Sequence, residues 1–157
     1  MTDDFTGTLP RKRMGAGALL SDDRGRVLLV EPTYKDYWEI PGGVVEADES
    51  PYAAVMREMK EELGLDLRPG RLLSVDWVPP QPSRTEGVML LFDGGALTAD
   101  QAGQIQLPPD ELRSWAWCDE QEAAERLPEL LARRILATVR ARDEGTVVYL
   151  EDGHPKT

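Results

Sequence analysis

Short apolar segments alternate with polar turn sequences along much of the chain, and their lengths favour β-strands. Residues 14–20 and 26–30 are rich in apolar and small residues, and they flank the polar sequence SDDRG. This order predicts a β-hairpin. Residues 37–40 predict a further short strand. The PGG sequence that follows should end it, because proline cannot donate to a strand ladder and glycine permits unusual backbone angles.

The clearest helical pattern spans residues 51–63. Ser50 suits the N-cap, Pro51 suits the first helical position, and Gly64 suits a left-handed C-terminal cap. Apolar residues recur at spacings of three and four and are expected to form the buried stripe: Tyr52, Val55, Met59 and Leu63. Four charged residues fall away from this stripe: Arg57, Glu58, Glu61 and Glu62.

The second half of the chain predicts three more strands and two helices. The strands cover residues 72–78, 87–92 and 114–118, and Asp93-Gly94-Gly95 reads as a turn. Asp119 can cap a short helix that ends near Leu127. The polar residues 151–157, which include His154, are expected to be disordered.

The last helix should run from Glu129 to about Arg142 and end at Gly145. Its expected apolar stripe consists of Leu130, Leu131, Ile135 and Val139. Its arginines are expected to face solvent: Arg133, Arg134 and Arg140. Residues 147–150 fit either a short strand or a packed tail. Antiparallel hairpins with a few helices indicate a layered α/β or α+β domain.

Composition and charge restrict the class of protein. The 157 residues fit one domain, which we place at residues 13–150, with tails at 1–12 and 151–157. The net charge of −11 argues against a nucleic-acid partner, since phosphate backbones are bound by basic residues. The single cysteine excludes an intrachain disulfide, and no apolar run is long enough for a membrane span. A cytoplasmic location is the default expectation.

The helix at residues 51–63 carries the candidate chemistry. Glu58, Glu61 and Glu62 are three and four positions apart, so their carboxylates project to one side of the helix. Like charges at these spacings destabilise a helix, and a bound cation would relieve the repulsion. Oxygen-only ligands suit Mg²⁺, which is commonly shared between protein carboxylates and substrate phosphates. Histidine and cysteine are absent from this segment, which argues against zinc.

The motif around this helix resembles that of a known family. Residues 43–65 read GVVEADESPYAAVMREMKEELGL, and every fixed position of the Nudix box is present. The preceding WEIPGG sequence is similar to the usual lead-in to that box. The chain therefore resembles the Nudix hydrolase family. The resemblance implies a mixed β-sheet sandwiched between helices in a single α/β domain.

The resemblance also implies a role for each motif residue. Glu58 and Glu62 would be the principal ligands of Mg²⁺ or Mn²⁺, and Glu61 would be a further ligand or take part in proton transfer. The backbone carbonyl of Gly42 would be another ligand. The supporting residues would be Arg57, which pairs with Glu49 to hold the loop over the helix, and the turn glycine Gly43.

The implied reaction is hydrolysis of a phosphoanhydride bond by water, with the metal stabilising the developing charge. In this family the base, or an extra metal ligand, often follows the box. Glu111 lies just before the strand at 114–118 and is the preferred candidate. Glu86 lies before the strand at 87–92 and is the alternative.

The substrate is less defined than the reaction. A nucleoside diphosphate linked to another moiety is expected, either ADP-ribose-like or a nucleoside triphosphate. Pro80 lies 15 residues beyond Leu65, similar to a proline that accompanies ADP-ribose hydrolysis in the family. Three aromatic residues are candidates for stacking on a base: Tyr34, Trp38 and Trp77.

Two rival functions share this fold. A non-catalytic nucleotide-binding or regulatory module is the main alternative, but such relatives commonly lose box carboxylates that this chain keeps. A diphosphate isomerase is expected to need a suitably placed cysteine, whereas Cys118 lies far downstream of the box and reads as a small buried residue. The family resemblance also permits a homodimer.

Overall fold

The computed structural model describes residues 5–156 of the chain. The start of the predicted tail, residues 1–4, and the last residue, 157, lie outside the described part. Phe5–Thr8 forms a 3₁₀ turn. Eight strands follow: β1 Arg13–Ser21, β2 Val27–Pro32, β3 Gly42–Val44, β4 Leu72–Val78, β5 Gly87–Ala96, β6 Leu112–Cys118, β7 Val148–Glu151 and β8 His154–Pro155. The four α-helices are α1 Pro51–Leu63, α2 Ala99–Gly103, α3 Glu120–Arg126 and α4 Glu129–Glu144.

The strands form one mixed sheet. Their order is β6-β2-β1-β5-β4-β7-β8, and the short β3 also pairs with β1. The pairs β1–β5 and β4–β7 are parallel, whereas β1–β2, β2–β6 and β4–β5 are antiparallel. The predicted hairpin of β1 and β2 is therefore confirmed.

Helices cover both faces of this sheet. Side chains alternate along β1, so Ala18 and Leu20 pack in the cluster with α1 residues such as Met59, while Leu19 packs in the opposite cluster with Ile135 of α4. Apolar residues thus fill both sides of the central strands. The predicted α/β domain, with its sheet sandwiched between helices, is confirmed.

The predicted strand at 37–40 is wrong, and so is its end at the glycines. Only Glu39 pairs in that segment, with an isolated bridge to Val30. Gly42 and Gly43 instead belong to β3, which pairs with β1. A sequence pattern cannot show that β1 has a free edge here on which glycine backbone fits closely.

The predicted turn at residues 93–95 is also wrong, because β5 continues through it to Ala96. The register of β5 against β1 shifts between Leu19 and Leu20 at this point. A Cβ at Gly94 would lie 2.4 Å from Cδ2 of Leu20, so glycine here makes room for a core side chain.

Three further predictions are wrong, two about burial and one about disorder. Tyr52, expected in the buried stripe of α1, is 38% exposed. Arg134, expected in solvent, is 7% exposed and forms a 2.7 Å ion pair with Asp76. Residues expected to form a disordered tail pair with β7 as far as Pro155, so the undecided segment at 147–150 contributes a strand and the sheet continues beyond residue 150.

Among residues 5–156, no helix is long and apolar enough to cross a membrane.

Candidate active site

Helix α1 fixes the acidic motif against the sheet. The Ser50 hydroxyl accepts a 3.0 Å hydrogen bond from the Ala53 amide, and Gly64 ends the helix with φ of 70°. Met59 and Leu63 are fully buried beneath it. The predicted helix, from Pro51 to Leu63 with both caps, is confirmed, and its anchored apolar face fixes the direction of the glutamates.

The glycines of β3 bring backbone into contact with these glutamates. Gly42 has φ of 154°, and a Cβ there would lie 2.4 Å from the carbonyl oxygen of Ala16. A Cβ at Gly43 would lie 2.5 Å from Oε1 of Glu58. The Gly42 amide donates a 2.7 Å hydrogen bond to Oε1 of Glu62. Glycine is therefore required for close approach at both positions.

Glu62 is the most buried carboxylate of the motif, with 8% of the residue exposed. Burial raises the pKa of Glu62 to about 8, against the opposing effect of the Gly42 hydrogen bond. The charges of Glu58, Glu39 and Glu111 add to this rise. Glu62 is buried although it lies off the apolar stripe of α1, because β3 covers a second side of the helix that helical periodicity does not reveal.

Arg57 connects the helix to the loop before it. Its Nε and Nη2 donate to the two carboxylate oxygens of Glu49 at 2.8 and 2.9 Å, and Nη2 also donates to the carbonyl of Val44 at 3.0 Å. The predicted Arg57–Glu49 pair is present. This two-pronged contact lowers the pKa of Glu49 to about 2.

The third nitrogen of Arg57 reaches the acidic face itself. Nη1 donates to Oε1 of Glu58 at 2.9 Å and to Oε2 of Glu61 at 3.3 Å. Burial raises the pKa of Glu58, although the Arg57 hydrogen bond opposes the shift. Arg57 therefore orients Glu58 and Glu61 while it holds the loop, and Glu61 is the more exposed of the two acids.

The two downstream acids lie in different surroundings. Glu111 is close enough for its charge to raise the pKa of both Glu58 and Glu62. Its carbonyl accepts a 2.8 Å hydrogen bond from the Thr33 amide, which ties the Glu111 loop to the end of β2. Glu86 instead accepts from Lys12 and from Nε1 of Trp77, both at 2.8 Å. The structure thus brings Glu111, but not Glu86, into the electrostatic environment of the motif.

The segment between β2 and β3 contributes residues to which the sequence reading gave no role. Lys35 forms an ion pair with Glu39, whose charge raises the pKa of Glu62. The Lys35 ammonium also lies 5.4 Å from the ring centroids of both Tyr34 and Tyr37. The only sequence signal for Lys35 and Glu39 is their place just before the glycines of β3.

The three aromatic candidates for base stacking differ in availability. Tyr34 is 67% exposed, and the charges of Glu39, Glu62 and Glu111 act on its phenol. Trp38 carries the guanidinium of Arg126 over its ring at 4.6 Å, and Trp77 is hydrogen-bonded to Glu86. Tyr34 is therefore the candidate that faces the acidic site with an exposed ring.

The acidic atoms can be tested against the needs of a metal ion. As the side chains lie, no three His, Cys, Asp or Glu residues within the described part of the chain surround a common point. Glu58 is directed to Arg57 and Glu62 to the Gly42 amide. The donor type nevertheless fits a hard divalent cation, because both groups offer carboxylate oxygens in a partly buried site.

Cys118 lies apart from the acids. It is fully buried in the cluster with Ala123 and Leu127, whereas α1 packs in the cluster on the other face of the sheet. Cys118 is thus a buried core residue, as predicted, and the arrangement that an isomerase is expected to need is not present.

Known proteins are similar to most of this chain. The NUDIX domain model matches residues 11–139. A MutT-like protein of Streptomyces ambofaciens is 31% identical over 121 residues, which cover 77% of this chain and 72% of that protein. An RNA pyrophosphohydrolase of Hydrogenovibrio crunogenus is 28% identical over 121 residues, covering 68% of this chain and 73% of that protein.

A solved structure shows the same fold. The crystal structure of a MutT NUDIX hydrolase from Burkholderia pseudomallei matches with a TM-score of 0.67 and 26% identity, covering 82% of this chain and 97% of that one. The matched residues 11–139 contain the acidic helix, the glycines of β3 and Glu111. The chain therefore belongs to the NUDIX domain family, as its sequence predicted.

Proposed function

We propose that this protein is a divalent-cation-dependent pyrophosphohydrolase that cleaves a phosphoanhydride bond in a nucleotide. The observation that carries the proposal is the position of Glu62, a carboxylate buried against the Gly42 backbone and next to Glu58. A buried carboxylate beside another acid is costly unless a cation compensates it. Together with the family, this position supports hydrolysis over a purely structural role.

The residues proposed to hold Mg²⁺ or Mn²⁺ are Glu58, Glu62 and the carbonyl of Gly42, with Glu61 as a further ligand. When bound, such a cation neutralises phosphate charge and lowers the pKa of water. Arg57 acts as a positioning residue, because it holds Glu58 and Glu61 through one nitrogen and the loop through the others.

Glu111 is proposed to accept the proton of the attacking water. The water oxygen forms a bond to phosphorus as the bridging phosphorus–oxygen bond breaks, and the leaving phosphate takes the electron pair of the broken bond. The proximity of Glu111 to Glu58 and Glu62 supports the assignment, and the engagement of Glu86 with Lys12 and Trp77 argues against the alternative base. Glu111 is exposed, so water from the solvent can reach it.

The proposed substrate is a small nucleotide with a diphosphate linkage, such as ADP-ribose or a nucleoside triphosphate. The exposed ring of Tyr34 is available for stacking on a base. Lys35 supplies a positive charge close to the acidic site for a phosphate group. The name of one relative raises RNA as a second substrate class, against which the net charge of −11 argues.

The test is a release assay for phosphate, pyrophosphate and nucleotide products with Mg²⁺ or Mn²⁺. Substrates are nucleoside triphosphates, ADP-ribose, dinucleotide polyphosphates, nucleotide sugars and a 5′-triphosphorylated RNA. The Glu62→Gln variant should lose at least about a hundredfold in kcat, the range in which metal-assisted charge stabilisation acts. Glu144→Gln, at the exposed end of α4, is the matched control and should retain full activity.

The result also decides between hydrolase and binding module. Turnover of one substrate that Glu62→Gln abolishes supports the proposal and identifies the substrate class. Nucleotide binding measured by calorimetry, without turnover of any substrate, would instead support the non-catalytic module.

A further inference from the structure

A cavity lies on the side of the sheet opposite the acidic motif. It has a volume of about 560 Å³ and opens between α3, α4 and the turn that joins β1 to β2. Apolar side chains form much of its wall, among them Val27, Ala123, Ile135 and Val139. Its size and apolar lining are those of a small-molecule site. The residues of the acidic motif belong to the other face and take no part in it.

Arginines line the cavity together with this apolar wall. Arg24 and Arg26 come from the β1–β2 turn, and Arg133 and Arg142 come from α4. Three acids also line it, but Asp119 caps α3 through the Glu122 amide at 2.8 Å and Asp143 accepts from Nε of Arg142 at 3.0 Å. The remaining acid, Glu120, is exposed.

Arg142 provides the specific signal. Its Nη1 is buried and has no hydrogen-bond partner within residues 5–156. The β1–β2 turn passes close to this guanidinium, since a Cβ built on Gly25 would lie at an ordinary contact distance of 3.8 Å from Nη2 of Arg142. Asp143 already pairs with Nε of this guanidinium, so Nη1 is the nitrogen left without a partner. A buried donor without a partner is costly, and an anion is the partner that a guanidinium nitrogen would bind most strongly.

We propose that this cavity is a binding site for a small amphipathic anion. The apolar body of the ligand packs on Ile135 and Val139, and its acidic head, a carboxylate, sulfonate or phosphate ester, accepts a hydrogen bond from Nη1 of Arg142. The combination of an apolar wall with a guanidinium whose Nη1 has no partner selects for a molecule that has both parts. Arg26 pairs with Asp22, and Arg133 pairs with Asp152. Arg24 and Nη1 of Arg142 therefore supply the positive charge that lets an anion approach a chain with a net charge of −11.

The test is a fluorescence titration of the full chain, in EDTA, with 8-anilinonaphthalene-1-sulfonate. The matched probe N-phenyl-1-naphthylamine has the same apolar body without the sulfonate. The sulfonate probe should bind saturably at one site per chain and at least about tenfold more tightly than the neutral probe. Arg142→Met should weaken the sulfonate probe about tenfold and leave the neutral probe unchanged. Arg140→Met, an exposed arginine on the same helix outside the cavity, should change neither affinity.

A second variant keeps the test valid if Arg142→Met does not fold. Ala124 is exposed at the lining of the cavity, so Ala124→Trp should fold and block the site. Methyl NMR of Val27, Ile135 and Val139 should shift on addition of the sulfonate probe. Equal affinity of the sulfonate probe for the wild type and both cavity variants, or shifts confined to other residues, would overturn the proposal.

Discussion

Glu62 combines a buried position with a proposed role, metal binding, that requires negative charge. Its carboxylate accepts a hydrogen bond from the Gly42 amide and lies near three other acids. Helical periodicity predicts which residues of α1 pack on the apolar core. It does not show that β3 covers a second side of the helix. The position of the acids in sequence was therefore predictable, whereas the burial of Glu62 depends on a strand that the pattern does not predict.

This burial makes stability depend on pH. The folded-state pKa of Glu62 is raised from 4.5 to about 8, so the protonated form is favoured by folding. The stabilising contribution is complete below pH 4.5 and is lost as the pH rises through 8. Without divalent cations, the free energy of unfolding should fall across this interval by up to about 1.4 kcal/mol per pH unit from this group.

Urea unfolding in EDTA at several pH values between 5 and 8 measures this effect. Glu62→Gln should remove the Glu62 part of the pH slope, and Mg²⁺ should stabilise the wild type more at pH 8 than at pH 6. An unchanged slope in Glu62→Gln would show that the pH dependence arises elsewhere.

A substitution at Gly43 should lower activity without preventing folding. A Cβ at Gly43 meets the movable end of the Glu58 side chain, so Gly43→Ala should fold but displace that carboxylate. Activity should fall about 10- to 100-fold, as it does when groups that orient metal ligands are disturbed. Gly103→Ala is the matched control, because a Cβ there has no heavy atom within 4 Å. Steady-state kinetics and the thermal unfolding midpoint of each variant check the prediction, which a fully active Gly43→Ala would refute.

Tyr34 offers a test of substrate recognition. If its exposed ring stacks on a base, Tyr34→Ala should raise KM for the nucleotide about tenfold or more, while Tyr34→Phe should stay close to the wild type. Tyr149→Ala, an exposed tyrosine on β7, should leave KM unchanged. An unchanged KM in Tyr34→Ala would exclude stacking by this ring.

Among the elements, those with local signals were predicted best. α1 and β4 have the predicted bounds, and α3 begins after the predicted Asp119 cap, because caps and apolar periodicity are encoded within each segment. β3, the end of β5 and β8 were missed, because each depends on a partner strand distant in sequence. The short helix α2 was also missed, although its Thr98 and Gln101 form a capping box.

The prediction that Arg134 faces solvent failed for the same reason, and its burial has an energetic consequence. Arg134 of α4 pairs with the fully buried Asp76 of β4, which also accepts the Gly153 amide at 3.0 Å. Arg134→Met leaves a buried charge without its partner and should lower the free energy of unfolding by about 3–5 kcal/mol. The double variant with Asp76→Asn should lose less than the sum of the single changes, as measured by urea unfolding. Additive losses would show that the two residues are not coupled.

At the scale of the whole molecule, the sheet separates an acidic site from an arginine-lined cavity. The acidic motif and α1 belong to one face, whereas the arginine-lined cavity lies between α3 and α4 on the other. The family and the acidic site follow from a continuous motif in the sequence. The cavity does not, because its lining comes from separate segments that only the fold brings together.

The pairing of β1 with β5 sets the order of events during synthesis. β1 leaves the ribosome early, but its parallel partner β5 begins only at Gly87, so this strand pair can form only after more than half of the chain has been made. The helix that carries the glutamates is local and can form in that interval. Glu111 emerges later still, just before β6 pairs with β2. A nascent chain stopped before residue 111 therefore contains the helix with the proposed metal ligands but not the proposed base, and we expect catalytic competence to appear only after β6 has been made.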